Sequence, residues 1–184
     1  MGQRSQIYVK VDNKLQVANY YQWNYGTRMI SRARYGIEWI NKNINYPCFF
    51  DRSFYNFEKF RRIWDINFDY KDIVISSDIL TFKEYCENDS YSKEEFVYKC
   101  QANNDGKLFI NVNTESKEIK FAFTDGECNV LNPFEYIKWD ESEWLHNKYI
   151  SKKERDTCIK NIRELYKMAT LMTQEEIDEY MKSI

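Results

Sequence analysis

Histidine, proline and glycine are scarce in this 184-residue sequence, and each scarcity excludes a class of protein. Two prolines and five glycines exclude collagen-like and linker-rich chains. His146 is the only histidine, and none of the five cysteines forms a Cys-x-x-Cys pair, so the sequence predicts no metal site. It also contains no Cys–His setting for nucleophilic catalysis, no glycine-rich dinucleotide loop and no P-loop. We therefore expect no catalytic residue and no cofactor.

Long apolar runs are missing as well. No run approaches the roughly 18 residues that cross a bilayer, and Met1–Gln6 has no hydrophobic signal-peptide core. An odd number of scattered cysteines is typical of reduced thiols rather than of a disulfide framework. The sequence thus predicts a soluble cytoplasmic protein without a membrane partner.

Aromatic residues, by contrast, are abundant. They make up 17% of the chain, and hydrophobic residues reach 43%, a composition typical of a folded domain rather than of a disordered chain. The formal net charge is only −2, but it is unevenly distributed. Residues 1–43 contain seven basic and two acidic residues and so carry +5, which leaves −7 for residues 44–184. A basic N-terminal quarter is therefore joined to an acidic body.

Two alternating stretches predict an N-terminal β-hairpin. Residues 6–11 and 15–23 are rich in β-branched or aromatic side chains, and the Asp12–Asn13 pair between them is a turn signal. Thr27 is expected to cap a helix that runs to about residue 43, because apolar residues recur there on one helical face.

The middle of the chain predicts helices followed by an antiparallel meander. Helices are expected over residues 53–64 and 82–86, and residues 72–80 fit either a strand or a buried helix. Three strands are expected at residues 96–101, 107–112 and 118–123. Turns at residues 104–106 and 114–116 are expected to join them.

The C-terminal part predicts helices again. Ser151 with Glu154, and Thr173 with Glu176, have the spacing of capping boxes, and the second box opens a last helix over residues 174–182. Strands at the start and in the middle, with helices between and after them, predict an α+β fold with an antiparallel sheet. We expect a single domain over residues 1–184. Within it the sequence predicts three sub-units, at residues 1–45, 46–150 and 151–184.

One predicted surface combines basic and aromatic residues. Arg28, Arg32, Tyr35 and Trp39 fall at i, i+4, i+7 and i+11, so they form a stripe beside the apolar face of the helix. Arginine with tyrosine and tryptophan is the composition of binding hot spots. The predicted partner-binding residues are this stripe and its neighbours: Trp23, Asn24, Tyr25, Arg28, Arg32, Arg34, Tyr35 and Trp39.

A purely structural interpretation of this stripe stays open. Tyr35 and Trp39 can widen the core face, with the arginine stems lying along it and their charged tips in water. Arg34 and Glu38 have the spacing of a surface i,i+4 ion pair. A second basic group is interpreted as a solvated face and comprises Lys59, Arg61 and Arg62.

Glu118 and Lys120 carry a second chemical hypothesis. Carboxylates with a nearby lysine can hold Mg²⁺ and orient water in a metal-dependent nuclease, and Asp105 lies about a dozen residues earlier. Because Glu118 and Lys120 alternate with Ile119 and Phe121, the same residues also fit an ordinary half-exposed strand.

The first part of the chain has a further pattern. It reads Arg4-Ser5-Gln6-Ile7-Tyr8-Val9, then Tyr20-Tyr21-Gln22-Trp23-Asn24-Tyr25-Gly26, then Arg28-Met29-Ile30-Ser31-Arg32-Ala33. Over about the first 40 residues, the size of one hairpin plus one helix, it resembles small proteins encoded by phages and mobile elements of Firmicutes. The chain as a whole resembles anti-CRISPR proteins, which inhibit Cas9-type nucleases.

This resemblance implies a non-enzymatic inhibitor of a host nucleic-acid-targeting defence complex. Its partner would be a Cas9-type ribonucleoprotein in the host cytoplasm, bound by surface contacts. Any contact with nucleic acid would be made through this ribonucleoprotein. The resemblance supplies no catalytic residue. Two alternatives stay open: direct nucleic-acid binding through the basic N-terminal face, and a metal-dependent nuclease that uses Glu118 and Lys120.

Overall fold

The computed structural model of the chain describes residues 4–22, 26–65, 79–81, 104–137 and 152–184. The predicted helix at 82–86, the predicted strand at 96–101 and the Ser151 capping box lie outside these residues.

The described parts of the chain contain a pair of strands, then helices, then a run of strands, and then mainly helices, as the α+β prediction expects. The strands are β1 (Arg4–Val11), β2 (Lys14–Gln22), β3 (Ile79–Thr81), β4 (Asn104–Asn113), β5 (Glu118–Thr124), β6 (Val130–Leu131) and β7 (Thr170–Leu171). The helices are α1 (Gly26–Asn43), α2 (Phe57–Arg62), α3 (Lys152–Met168) and α4 (Gln174–Lys182), with single 3-10 turns at Pro47–Phe49 and Ile63–Asp65. Residues 133–137 are also helical. The α+β fold class is confirmed.

The strands form one mixed sheet in the order β3-β2-β1-β4-β5-β6, with β7 beside β5. The predicted hairpin β1–β2 and the antiparallel pair β4–β5 are confirmed. The expectation of a wholly antiparallel sheet is wrong, because β1 and β4 pair in parallel at its centre. Both strands are buried on their two faces there, over Ile7–Val9 and Leu108–Ile110. Continuous apolar runs of this kind are typical of parallel strands.

The hairpin turn at Asp12–Asn13 is confirmed. It is also hydrogen-bonded to the turn that connects β4 and β5. Both residues have positive φ, 49° and 62°, as a two-residue hairpin turn of the favoured hand requires. The Asp12 carboxylate accepts hydrogen bonds from the Thr114 amide at 2.8 Å and from the Thr114 hydroxyl at 2.7 Å. The β1–β2 and β4–β5 connections are thereby held together at one end of the sheet.

The turn predicted at residues 104–106 is instead the beginning of β4. Gly106 has φ +96°, and the register between β1 and β4 shifts across this point, as in a β-bulge. A Cβ at Gly106 would lie 2.0 Å from the Thr124 carbonyl oxygen. Gly106 is therefore required for its backbone conformation, but it lies at a β-bulge where two backbones approach closely and not at a chain reversal.

Several helix boundaries differ from the predicted ones. α1 begins at Gly26, so Thr27 lies inside its first turn and is not its N-cap. The helix predicted over 53–64 contracts to α2 followed by the 3-10 turn at Ile63–Asp65. Of the ambiguous stretch 72–80, the described residues at its end belong to strand β3. The Thr173–Glu176 capping box forms with both of its hydrogen bonds.

Helices pack on both faces of the sheet. Side chains of α1, α2 and α3 join Ile7 and Leu108 in one buried cluster. On the opposite face Tyr180 of α4 meets the edge of Phe109 at 5.2 Å between ring centroids and donates a hydrogen bond of 3.1 Å to the Ile110 carbonyl. Within the described residues, the helices are too short or too polar to cross a membrane.

Trp64 fixes the position of α1 against the segment that follows α2. Its ring is fully buried and lies over Gly36, where a Cβ would come within 2.4 Å and 2.6 Å of two ring carbons. Only glycine fits at this point of the helix face without displacing the indole.

We expect Gly36→Ala to lower the free energy of unfolding by about 2 kcal/mol. Overpacking a rigid site costs up to about 3 kcal/mol, and the gain in helix propensity recovers only about 1 kcal/mol. Urea unfolding measures the difference, with the exposed Asn41→Ala as a control on the same helix. A Gly36→Ala protein as stable as the parent would contradict this packing.

Candidate functional site

The structure describes the side chains of only part of the predicted partner-binding set. Trp23, Asn24 and Tyr25 lie outside the described residues, and for Arg28 only the helical backbone is described. Arg32, Arg34, Tyr35 and Trp39 can be placed, and they do not form one exposed stripe.

Arg32 lies in the interior. It is 2% exposed, its guanidinium carbon lies 4.2 Å from the centre of the Tyr21 ring, and it donates a hydrogen bond to the Trp64 carbonyl. The Tyr21 hydroxyl donates to the same carbonyl at 2.9 Å. Arg32 thus joins β2, α1 and the turn at Trp64. This corrects the expectation that its charge faces a partner, because the guanidinium is turned towards the core.

Arg34 and Tyr35 are half-buried and bound within their own helix. Arg34 pairs with Glu38 as predicted, and its guanidinium carbon lies 4.3 Å from the Tyr35 ring centre. Glu38 also accepts a hydrogen bond of 2.7 Å from Lys42, and this bond is the largest single cause of its lowered pKa, to which Arg34 adds. These contacts match the structural interpretation of the stripe.

Trp39 packs against a second aromatic surface, which was not among the predicted partner-binding residues. The half-buried indole meets the rings of Phe49 at 5.4 Å and Phe60 at 5.9 Å between centroids. Both partners belong to residues 46–62, which follow α1 and include α2. This stretch, here called the 46–62 segment, contains seven aromatic residues among seventeen.

The 46–62 segment is held on the fold by its inner side chains. The buried rings of Phe50 and Phe60 meet at 5.3 Å. Arg52 crosses to the start of β2, where it donates hydrogen bonds of 3.1 Å and 3.0 Å to the Leu15 and Gln16 carbonyls. The backbone of the 46–62 segment is therefore held by ring packing in the core and by hydrogen bonds to β2.

The turn between these anchors has a defined shape. The Asp51 carboxylate accepts hydrogen bonds from the Ser53 amide at 2.9 Å and from its hydroxyl at 2.8 Å, and these two bonds lower the pKa of Asp51. The amides of Phe54 and Phe57 then donate to the carbonyls three residues earlier, each at 3.0 Å. This Asx-type turn orders the backbone that carries the outer rings.

The outer rings of the 46–62 segment are exposed to solvent. Tyr55 is 82% exposed, Tyr46 57% and Phe54 51%. Single exposed aromatic residues are normal on protein surfaces, but three within ten residues of chain form an unusual concentration. The packing of the core does not account for them, because the inner rings already fill it.

Basic groups accompany these rings. The segment contains Arg52, Lys59, Arg61 and Arg62 against two acids, so it carries +2 while the remainder of the chain carries −4. One oxygen of Glu58 accepts hydrogen bonds from Arg61 at 3.0 Å and from Arg62 at 3.2 Å, which lowers the pKa of Glu58. The two guanidinium groups are held side by side, with a net charge of +1 together with the carboxylate.

Glu118 and Lys120 lie on β5 at the rim of a groove of about 620 Å³ beside α4. Lys120 donates a 2.7 Å hydrogen bond to Glu176, the main cause of its raised pKa, and lies 3.7 Å from Glu118. The described residues contain no group of three acidic, cysteine or histidine side chains that could hold a metal ion, and the side chain of Asp105 is not among them. In the described structure, Lys120 joins β5 to α4.

Comparisons of this chain with protein-family models, with curated proteins and with solved structures find no match. The candidate site therefore rests on the geometry of the 46–62 segment. A count of aromatic residues along the sequence can locate this segment, since seven of its seventeen residues are aromatic and it follows the predicted stripe directly. Helical spacing could not, because the exposed rings lie in a turn.

We expect the two arginines of α1 to differ sharply in their effect on stability. Arg32→Ala removes a buried hydrogen bond from a charged donor and leaves a cavity against Tyr21, so it should lower the free energy of unfolding by about 3 kcal/mol. Arg34→Ala breaks a partly exposed ion pair and should cost under about 1 kcal/mol. Denaturant unfolding of the two variants measures this difference, and equal small losses would show that Arg32 is not buried as described.

Proposed function

We propose that this chain is a non-enzymatic inhibitor encoded by a phage or mobile element, which binds a Cas9-type ribonucleoprotein in the host cytoplasm. The 46–62 segment is the surface that makes the contact. In this proposal the predicted stripe on α1 contributes mainly through Trp39, which supports the segment from beneath.

The observation that carries the proposal is the exposure of Tyr46, Phe54 and Tyr55 in a segment that also contains exposed arginine and lysine side chains. Tyrosine and arginine dominate the few residues that supply most of the energy at protein interfaces. The turn that carries Phe54 and Tyr55 is already ordered by the Asp51–Ser53 bonds, so little backbone entropy is lost there on binding. The target class is supported by the resemblance of the chain to anti-CRISPR proteins.

The two alternatives differ in what they require. Direct nucleic-acid binding through the N-terminal basic face needs exposed cations on α1. Among the cations of α1 whose side chains are described, Arg32 is buried, and Arg34 and the exposed Lys42 both pair with Glu38. A nuclease needs a metal ion near Glu118, and its activity would disappear with EDTA. The inhibitor proposal requires neither feature.

The direct test is cleavage of a target DNA by Cas9-type ribonucleoproteins of Firmicutes with and without this protein. We expect the parent chain to inhibit at concentrations near that of the ribonucleoprotein. The double variant Phe54→Ala with Tyr55→Ala should raise the half-inhibitory concentration at least about tenfold, because each hot-spot ring contributes more than about 1 kcal/mol.

Phe134 and Tyr166 provide the matched control, since they are a phenylalanine and a tyrosine that are 39% and 42% exposed outside the segment. Phe134→Ala with Tyr166→Ala should inhibit as the parent does. Absence of inhibition by the parent in every ribonucleoprotein tested would refute the proposed target. Equal inhibition by both double variants would refute the proposed surface.

A further inference from the structure

We infer that the 46–62 segment binds single-stranded nucleic acid by stacking bases on its exposed rings. This inference rests on the proposed function for its choice of surface, and it names the nucleic-acid component of the ribonucleoprotein as the part contacted. DNA and RNA strands share the required chemistry, a chain of phosphates with unpaired base faces, and the experiment below separates them.

The rings meet the first requirement of a stacking platform. Proteins that hold single strands without sequence preference present aromatic side chains on which successive bases stack. Tyr46, Phe54 and Tyr55 have their ring surfaces in solvent, and the backbone under Phe54 is held by the hydrogen bond from its amide to the Asp51 carbonyl. The base faces of a duplex are covered by their neighbours, so such rings favour unpaired bases.

The charges meet the second requirement. Lys59 and Arg62 are exposed in α2, and the shared Glu58 holds Arg61 beside Arg62. Guanidinium and ammonium groups at this position can pair with the phosphates of a strand whose bases lie on the rings. Stacking and phosphate contacts would thus come from one ordered segment.

The charge distribution of the whole chain restricts where a polyanion can bind. Residues 1–43 carry +5, the 46–62 segment carries +2, and residues 63–184 carry −9. An anionic strand is repelled by the acidic residues 63–184 and attracted to the basic first third of the chain, which includes the segment with the rings. In residues 1–43, Lys10 and Arg32 are buried and do not offer their charges to a strand. An acidic protein surface would be steered to the same place, and this competing occupant is separated from a nucleic acid by the test.

The test measures fluorescence anisotropy of fluorescein-labelled dT 20-mer, rU 20-mer and a 20-base-pair duplex with the full chain at two salt concentrations. We expect at least one single strand to bind about tenfold or more tightly than the duplex, and the stronger of the two strands identifies the natural class. Phe54→Ala with Tyr55→Ala should weaken single-strand binding about tenfold or more, with little change in its salt dependence. Tyr55→Phe keeps the ring and should bind as the parent does.

Lys59→Ala with Arg62→Ala should act in the complementary way. Each lost phosphate contact reduces the slope of log affinity against log salt by about 0.7, so we expect a reduction of about 1.4. The matched control is Lys160→Ala with Arg163→Ala on the exposed side of α3, which should leave affinity and slope unchanged. Thermal unfolding of every variant verifies that these exposed substitutions leave the fold intact.

The possible results distinguish this inference from the proposed function. The absence of single-strand binding, or binding that survives loss of both rings, overturns the inference. If the ring variant still loses inhibition of the ribonucleoprotein in that case, the proposed function stands and the segment contacts protein. Ring-dependent strand binding without inhibition of any ribonucleoprotein supports the inference and overturns the proposed function.

Discussion

The packing of Trp64 constrains the rest of the described structure. Its indole lies on Gly36 of α1, and its carbonyl accepts hydrogen bonds from both Arg32 of α1 and Tyr21 of β2. A strand, a long helix and the turn after α2 are therefore fixed to one residue. A buried guanidinium is costly to hold without hydrogen bonds and a ring face, and these contacts supply both. The arginine that looks most like a binding residue in the sequence is thus part of the interior.

The candidate surface follows from the same packing. From Trp64, ring contacts run outward to Phe60 at 6.1 Å and then through Trp39 to Phe49. Dispersion and burial fix the inner rings, and the hydrogen bonds of Arg52 fix the far side of the segment. Because the inner aromatic residues complete the core, the outer rings remain in solvent, in a segment that also contains exposed basic residues. An ordered aromatic surface is the physical basis of the binding role proposed for this chain.

Local patterns predicted local structure well, and long-range contacts explain most of the differences. The hairpin, its Asp12–Asn13 turn and the Thr173 capping box depend on neighbours in the chain, so they can be predicted from the sequence. The parallel pairing of β1 with β4 joins residues about a hundred positions apart, and Gly106 forms a bulge only because that pairing exists. Arg32 has the helical spacing of an exposed residue, but its burial depends on Tyr21 and Trp64, which no helical periodicity includes.

We propose that the 46–62 segment, and not the face of α1, is the working surface of this chain. Hydrogen–deuterium exchange of the full chain, alone and with a saturating Cas9-type ribonucleoprotein, tests it most directly, because it locates the contact whatever its chemistry. We expect slower exchange of backbone amides in peptides that cover residues 46–62, with little change in α3. Slower exchange confined to α1 or to the groove beside α4, with the 46–62 amides unaffected, would contradict it.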